Sequence, residues 1–322
     1  MNIIKRACVS AGIIMSLCLP FQASATNDYP AQAVKLVVPF PPGGGTDSLG
    51  RIVAQSLGTE FGQSFVVENK PGAAGVIGAN QVSRSKPDGY TLLMAATGAI
   101  IPAPGTEAKD YKLADNFSAV ALVAAPPYIL AINNDVPANS VAELVALAKT
   151  ASANLTYASS GVGAASHIAG LQLEEKAGIK LLHIPYKGMG QAVTDLMSGQ
   201  VNMMFAPAPA VLSHIQSGKL KALAVTSAKR SELFPDYPTV SEAGVPGYES
   251  VGWFGLFAPP GTPSDVVDKL NRSVNALLQT AEVKTQLKNM GATPANTTPA
   301  EFGFFVEQDV KQLVELLKKA TP

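Results

Sequence analysis

KLVVPFPPGGGTDSLGRIVAQSLG, residues 35–58, decides the fold. Residues 35–40 are an apolar, β-branched run, short enough for a buried strand. A Pro/Gly turn follows, and then Leu49, Ile52, Val53 and Leu57 recur at helical spacing. The same rhythm continues downstream. FVVE at 65–68 reads as a strand, a glycine-rich stretch at 71–78 leads into a helix ending near Ser85, KPDG at 86–89 is a turn, and YTLLM at 90–94 is a third strand. Strand, helix, strand in this order predicts a parallel sheet with helical crossovers. The pattern then restarts. Strands are expected at 128–132, 155–158, 182–186, 201–205 and 222–226, with helices at 140–151, 165–178 and 191–198. Between the two runs stands Ala124-Ala125-Pro126-Pro127, where consecutive prolines exclude helix and favour an extended connector. WFGLFAPP at 253–260 is expected to be the return passage, and the last segment carries helical patterns at 263–279 and 299–319. Residues 230–246 show no clear period. The expectation is two α/β domains, 26–124 with 248–322 and 125–247, built on mainly parallel sheets. Two crossover segments would form their hinge, with a cleft between the domains.

The N-terminus bears on location. Lys5 and Arg6 precede an apolar stretch from Ala7 to Leu19, Pro20 ends it, and Ala23-Ser24-Ala25 suits signal peptidase. The stretch is too short for a membrane span of roughly 20 residues. A mature chain beginning near Thr26 and exported to the periplasm is expected. Its only cysteines, Cys8 and Cys18, lie inside the leader, so disulfides, thiol catalysis and cysteine-based metal sites are excluded from the mature chain. Leu17 stands before Cys18, where a lipoprotein signal wants a small residue. The whole chain is neutral, with 24 basic and 24 acidic residues, and removal of Lys5 and Arg6 takes the charge to −2. No basic block collects phosphates, so nucleic acid is not an expected partner.

Two glycine-rich turns carry the functional signal. The first is VPFPPGGGTDS, 38–48, and the second YASSGVGAASH, 157–167. Each follows a strand and precedes a helix, and the two occupy corresponding places in the two domains. Gly43, Gly44 and Gly45 let backbone approach a ligand, and Thr46 or Asp47 is suited to cap the helix. Ser159, Ser160, Gly161 and Gly163 supply small donors in the second turn, and Ser166 is suited to the cap. Backbone N–H groups at such helix starts favour an anion, and open α/β sheets bind ligands beyond the carboxyl ends of their strands. Neither glycine-rich part contains Lys or Arg, so recognition by dipoles, hydroxyls and water is expected in place of an arginine clamp. Taken singly, either turn is equally well an ordinary β–α connection.

Other chemistries fit less well. Gly43-x-Gly45-x-x-Ser48 lacks the third glycine of a dinucleotide fingerprint, although Glu68 stands near a ribose-binding position; no Gly-Lys-Ser/Thr follows for a P-loop. A secreted hydrolase using Ser160 or Ser166 with His167 lacks a GxSxG elbow, and Ser166 and His167 are adjacent on a helix. His167, His183 and His214 show no metal-ligand spacing, and no cofactor or metal is expected. Asp195 reads equally as a cleft residue or an exposed helix position. Trp253 reads as core or hinge packing.

Six stretches give a further clue: KLVVPFPPGGGTDSLGR, VVENKPGAAGVIGA, KPDGYTLL, HIPYKGMGQAVTDLMSGQV, GKLKALAVTSAKRSELFPDYPTVSEAG and WFGLFAPPGTP. Together they make the chain resemble the Bug-type solute-binding receptors of tripartite tricarboxylate transport systems. The resemblance covers nearly the whole mature chain. It implies a type II periplasmic binding fold, closure around a ligand carboxylate held by backbone groups and waters, and delivery to a membrane permease by a non-enzymatic monomer. Carried onto this sequence, it implies binding positions at Phe40, Pro42, Gly43, Gly44, Thr46 and Asp47. The second set is Ser159, Ser160, Gly161, Gly163, Ser166 and His167, with Asp195 from the TDL segment. The stretch between Met94 and Phe117 departs from the family by being shorter and rich in alanine and proline; Thr97 and Gly98 would line the cleft there. The implied ligand is a mono- or dicarboxylate, aromatic acids included. A ligand-sensing protein docking on a membrane sensor and a secreted hydrolase are the alternatives.

Overall fold

The computed structural model describes residues 29–100, 112–150, 154–186 and 188–320. The expected signal segment and residues 101–111 of the stretch between Met94 and Phe117 lie outside the described residues. Strand β1 (Val34–Val38) is buried at every position but Lys35, as expected of an interior strand covered on both faces. It pairs in parallel with β2 (Phe65–Asn69) and β3 (Thr91–Ala96). Helix α1 (Gly45–Phe61) joins β1 to β2 and stops at Gly62, whose left-handed φ of 64° suits a glycine terminator. Helix α2 (Val76–Ser83) joins β2 to β3. Strand β4 (Ser118–Ala124) closes the far edge of this first sheet.

After three residues the chain enters β5 (Tyr128–Asn133) of a second sheet. That sheet continues with α3 (Val141–Ala148), β6 (Thr156–Ser159), α4 (Ala165–Ala177), β7 (Leu182–Pro185), α5 (Met189–Met197), β8 (Met203–Pro207), α6 (Ala208–Gln216) and β9 (Leu220–Val225). The chain returns to the first sheet at β10 (Phe254–Ala258) and finishes with α7 (Ser264–Leu278), α8 (Ala281–Asn289) and α9 (Pro299–Ala320). The sheet orders are β2-β1-β3-β10-β4 and β7-β6-β8-β5-β9. They are one plan used twice. In each sheet the fourth strand is the one that has just arrived from the other lobe.

That plan corrects the expectation of mainly parallel sheets. β10 runs antiparallel to β3 and β4, and β5 runs antiparallel to β8 and β9, so each sheet has two parallel and two antiparallel ladders. WFGLFAPP is therefore no mere connector. Its residues 254–258 are an inner strand of the first sheet. The two-domain α/β architecture itself stands.

Alternate residues on each strand face different helical layers. Leu36, Val38, Leu92, Met94 and Leu256 pack toward α1 and α7, whereas Val37, Leu93, Ala95 and Phe257 pack toward α2 and α9. In the second sheet Leu130, Ile132, Tyr157, Met203 and Phe205 meet α3 and α4, and Ile129, Ala131, Ala158, Met204 and Ala206 meet α5 and α6. Gly170 permits one of these contacts, since a Cβ there would overlap the Tyr157 ring.

The lobes are joined by more than the two crossovers. Pro127 and Val251 form an antiparallel bridge where the crossovers pass each other. Ser250 N on the return crossover donates to Thr226 O at 2.8 Å just past β9, and Thr226 Oγ1 accepts from Tyr128 N at 2.7 Å within the second lobe. On the same side, Leu313 and Leu316 of α9 pack on Ile168 of α4, so the last helix of one lobe rests on a helix of the other. The lobes also meet across the cleft. A Cβ on Gly98 would lie 2.6 Å from Gly163 O, and one on Gly291 would lie 2.9 Å from Ala208 Cβ.

Candidate functional site

The first turn is held from within. Gly43, at φ 87°, donates its N–H to Asp47 Oδ2 at 2.9 Å. Asp47 Oδ2 also accepts from Arg51 Nε at 2.9 Å, and its Oδ1 accepts from Asn69 Nδ2 at 2.9 Å. Asn69 Nδ2 donates further to Phe40 O at 3.0 Å. Asp47 is buried, and its carboxyl is held down at about 2 by the hydrogen bond from Arg51, then those from Gly43 and Asn69, against burial. The charge of Asp47 is therefore spent on the turn. The expected cap is corrected as well. Gly44 is the N-cap of α1, in extended conformation, and no side chain caps it. The helix thus presents the N–H groups of its first turn, Gly45, Thr46 and Asp47, without intrahelical partners. Pro42, Gly43 and Gly44 are exposed, Phe40 is half-buried, and Gly45 borders Phe254 and Met290, 3.5 Å from an added Cβ.

The second turn uses the same device with different chemistry. Gly163, at φ 80°, donates its N–H to His167 Nδ1 at 3.0 Å, again four residues ahead. Accepting at Nδ1 places the ring proton on Nε2. His167 stacks on His183 at 4.0 Å between centroids, and His183 stacks on Tyr157 at 4.8 Å. Burial, then the neighbouring His183, holds His167 down to about 4; burial lowers His183 too. Both rings are neutral at ordinary pH. Ser159 Oγ meets His183 Nε2 at 2.6 Å and Gly161 N and O at 3.1 Å. Ser160 N donates to Ser166 Oγ at 3.0 Å. Ser166 is thus a strut across the turn. It does not cap α4, whose N-cap is Ala164 with no side-chain bond.

This accounting changes the expected cradle. The N–H groups of Ser160, Gly161, Gly163 and Ala164 are already taken inside the turn. The donors left are those of Val162 in the turn and of Ala165 and Ser166 at the start of α4, because His167 N already bonds Ala164 O at 2.8 Å. Each lobe therefore offers an uncapped helix terminus held in place by a locked turn. Among the described residues no hydrogen bond or ion pair joins the first turn to the second. The remaining positions act around these two. Thr97 Oγ1 accepts from Trp253 N at 3.0 Å, tying the end of β3 to the return crossover. Gly98, at φ 93°, is where the first lobe touches Gly163. Asp195 accepts from Tyr186 Oη at 2.8 Å and Gln191 Nε2 at 2.7 Å, so both its oxygens are engaged. Tyr186, pushed up to about 12 by burial and then by Asp195, also donates its backbone N–H to Ser159 O.

Sequence reasoning missed Arg51, Asn69, His183, Tyr186, Phe254 and Met290. Only Arg51 had a local signal, its i,i+4 spacing from Asp47. The others come from distant strand ends and, for Met290, from the end of α8.

Comparison with known proteins identifies the family. Residues 49–321 match the family described as the tripartite tricarboxylate transporter family receptor, which leaves the first turn just upstream of the matched region. The periplasmic binding protein BugD is 40% identical, with a TM-score of 0.75 over 91% of this chain and 98% of that one. An R. palustris protein solved with adipate is 34% identical, with a TM-score of 0.78 over the same shares. MatC from Rhodopseudomonas palustris, with bound malate, is 30% identical, with a TM-score of 0.76 over 89% of this chain and 99% of that one. With the two-lobed plan, the paired turns and a match across most of its length, the chain belongs to the tripartite tricarboxylate transporter receptor family.

Proposed function

We propose that this protein captures a small organic carboxylate between its lobes in the periplasm and presents the closed complex to a membrane permease. The observation that carries the reading is the pair of uncapped helix termini, α1 and α4, each behind a braced glycine turn. A carboxylate between them would receive N–H groups from both lobes and couple binding to closure. Phe40, Pro42, Gly43, Gly44, Thr46 and Gly98 on one side, and Ser160, Gly161 and Ser166 on the other, form the proposed contact surface. Asp47, Ser159, Gly163, His167, Thr97 and Asp195 are proposed to hold that surface in place. The adipate and malate carried by two relatives make linear dicarboxylates the first ligands to test. The lobes are proposed to divide as 26–124 with 248–322, and 125–247, in a monomer released by cleavage before Thr26.

Calorimetry of the mature protein against malate, adipate and a panel of monocarboxylates tests the reading. One ligand should bind at one site without being altered. Gly44→Val is the companion variant. Gly44 has φ −80°, and a Cβ there meets only Pro41 O at 3.8 Å, so the chain folds while methyl groups screen the α1 donors. Unchanged affinity in Gly44→Val would remove the first turn from the site. A hydrolase reading gains little from the Ser159–His183 contact. Ser159 is fully buried and already bonded to Gly161, so a substrate has no path to its oxygen. Transport and sensing are separated by growth of a deletion strain on the identified ligand.

A further inference from the structure

A cavity of about 420 Å³ lies between α4 of one lobe and α9 of the other, floored by the return crossover. It adjoins the cleft, with Thr97 and Ala165 common to both, and is otherwise lined by α4, α9 and the return crossover. Its polar lining is unusual. Asp309 on α9 accepts from Trp253 Nε1 at 2.8 Å through Oδ2, and no cation pairs with it among the described residues. Burial holds its carboxyl up at about 6. Gln172 on α4 is 6% exposed, and its Oε1 is buried with no hydrogen-bond partner. Glu249 adds a second carboxylate from the crossover. Against these acceptors stands one ammonium, Lys176, which is exposed. Phe305 is half-buried in the wall, and Phe304 stands at the rim, 70% exposed.

Unpaired buried acceptors are costly, and a half-buried carboxylate without a cation adds to that cost. An aromatic wall beside them attracts positive charge through the faces of its rings. A volume of this size suits a small organic molecule. The ligand these features call for has a positively charged head with N–H donors and an apolar body. We propose that this cavity binds a small organic ammonium ion, its head among Asp309, Gln172 and Glu249 and its body on Phe304 and Phe305. The occupant touches both lobes beside the hinge, so it favours the lobe arrangement in which α4 and α9 both line the cavity. The carboxylate cleft plays no part in this reading, and neither stands or falls with the other.

Trp253 is the sole tryptophan, and its indole N–H rests on Asp309, so its emission reports on the cavity. The mature protein is titrated with benzylamine at pH 7, and binding is followed by Trp253 fluorescence and calorimetry. A saturable change with one site is expected. Asp309→Asn keeps the shape and an acceptor for Trp253 but removes the charge, and should weaken benzylamine about tenfold. Glu249→Gln and Phe304→Ala alter exposed side chains, leave the fold intact, and should each weaken it about threefold. Benzyl alcohol should give no saturable signal. The proposal is overturned by absence of benzylamine binding, by equal binding of benzyl alcohol, or by unchanged affinity in Asp309→Asn together with Glu249→Gln.

Discussion

Replacing His167 with Asn should change how stability depends on pH far more than it changes stability at pH 7. Asn Oδ1 can stand where His Nδ1 stands and still accept from Gly163 N–H, so the turn keeps its brace. What disappears is the titrating ring. His167 is 5% exposed and its affinity for a proton is lowered from 6.5 to about 4. Below pH 6.5 the unfolded chain therefore takes up a proton that the folded protein refuses until about pH 4. At ~1.4 kcal/mol per pH unit, the native state loses about 3 kcal/mol across that window. Asp309 acts in the opposite sense. Its carboxyl, raised from 3.8 to about 6, takes up a proton in the folded state that the unfolded chain refuses until lower pH. It contributes about 3 kcal/mol on acidification from pH 6 to 4, and that contribution is lost again as pH rises through 6. The two offset each other, and His183, also lowered by burial, tilts the balance toward acid lability. The wild type should thus show a shallow profile that conceals two steep ones. Urea unfolding at pH 7.0, 6.0, 5.0 and 4.5 separates them. His167→Asn should lose ~1–2 kcal/mol of ring packing at pH 7 and then gain on the wild type by about 3 kcal/mol toward pH 4. Asp309→Asn should fall behind the wild type by a similar amount over the same range. If His167→Asn runs parallel to the wild type at every pH, the neutral, buried imidazole is wrong.

Other perturbations probe separate contacts. Asp47→Asn leaves Arg51 without its partner and should cost ~2–3 kcal/mol at pH 7 by urea unfolding. It should also abolish the wild-type loss between about pH 4 and 2, the window in which a lowered carboxyl finally protonates. Gly98→Ala faces both a positive φ and the Gly163 oxygen, so small-angle scattering should show a more open molecule, and ligand affinity should fall about tenfold. An unchanged radius would argue against Gly98 as a closing contact. Gly170→Ala sets a methyl against the Tyr157 ring and should lower stability by ~2–3 kcal/mol without altering pH dependence.

Much of the architecture could be read locally because each strand is an apolar run next to a helix with its own period. The segment from Lys35 to Leu57 shows this best, and the two-lobe repeat follows from meeting the pattern twice. Where reading failed, the missing information was in the pairing. FGLFA at 254–258 is as apolar as any strand, but its flanking prolines made it look like a connector, and only its neighbours β3 and β4 reveal an antiparallel inner strand. SAVALVA at 118–124 was hidden against the prolines that follow it. Helix α6 begins directly after β8 with a proline in its first turn, which reads as an interruption, and α8 falls in the gap between the two patterns expected at 263–279 and 299–319. At the site, both turns were legible as turns at helix starts. The roles within them were not. Asp47 and Ser166 have the composition of caps, and distant partners divert them: Asn69 engages Asp47 from the end of β2, and the backbone of Ser160 engages Ser166. His183 was invisible for the same reason, because stacking on His167 depends on β7 lying beside β6.

The place of β10 also governs the order in which the molecule can be finished. The strands of the second sheet all lie between residues 128 and 225, so that sheet is complete once Val225 has emerged. The first sheet begins earlier, yet a gap stays open between β3 and β4 until Phe254 to Ala258 arrives. A chain threading out of a membrane pore therefore completes its later lobe first and holds its earlier one unfinished. Truncations ending at residue 250, which keep Tyr248 in the core beside Phe205 and Ala169, should fold the second lobe alone. The cleft, which needs both, comes into existence only with the last quarter of the chain.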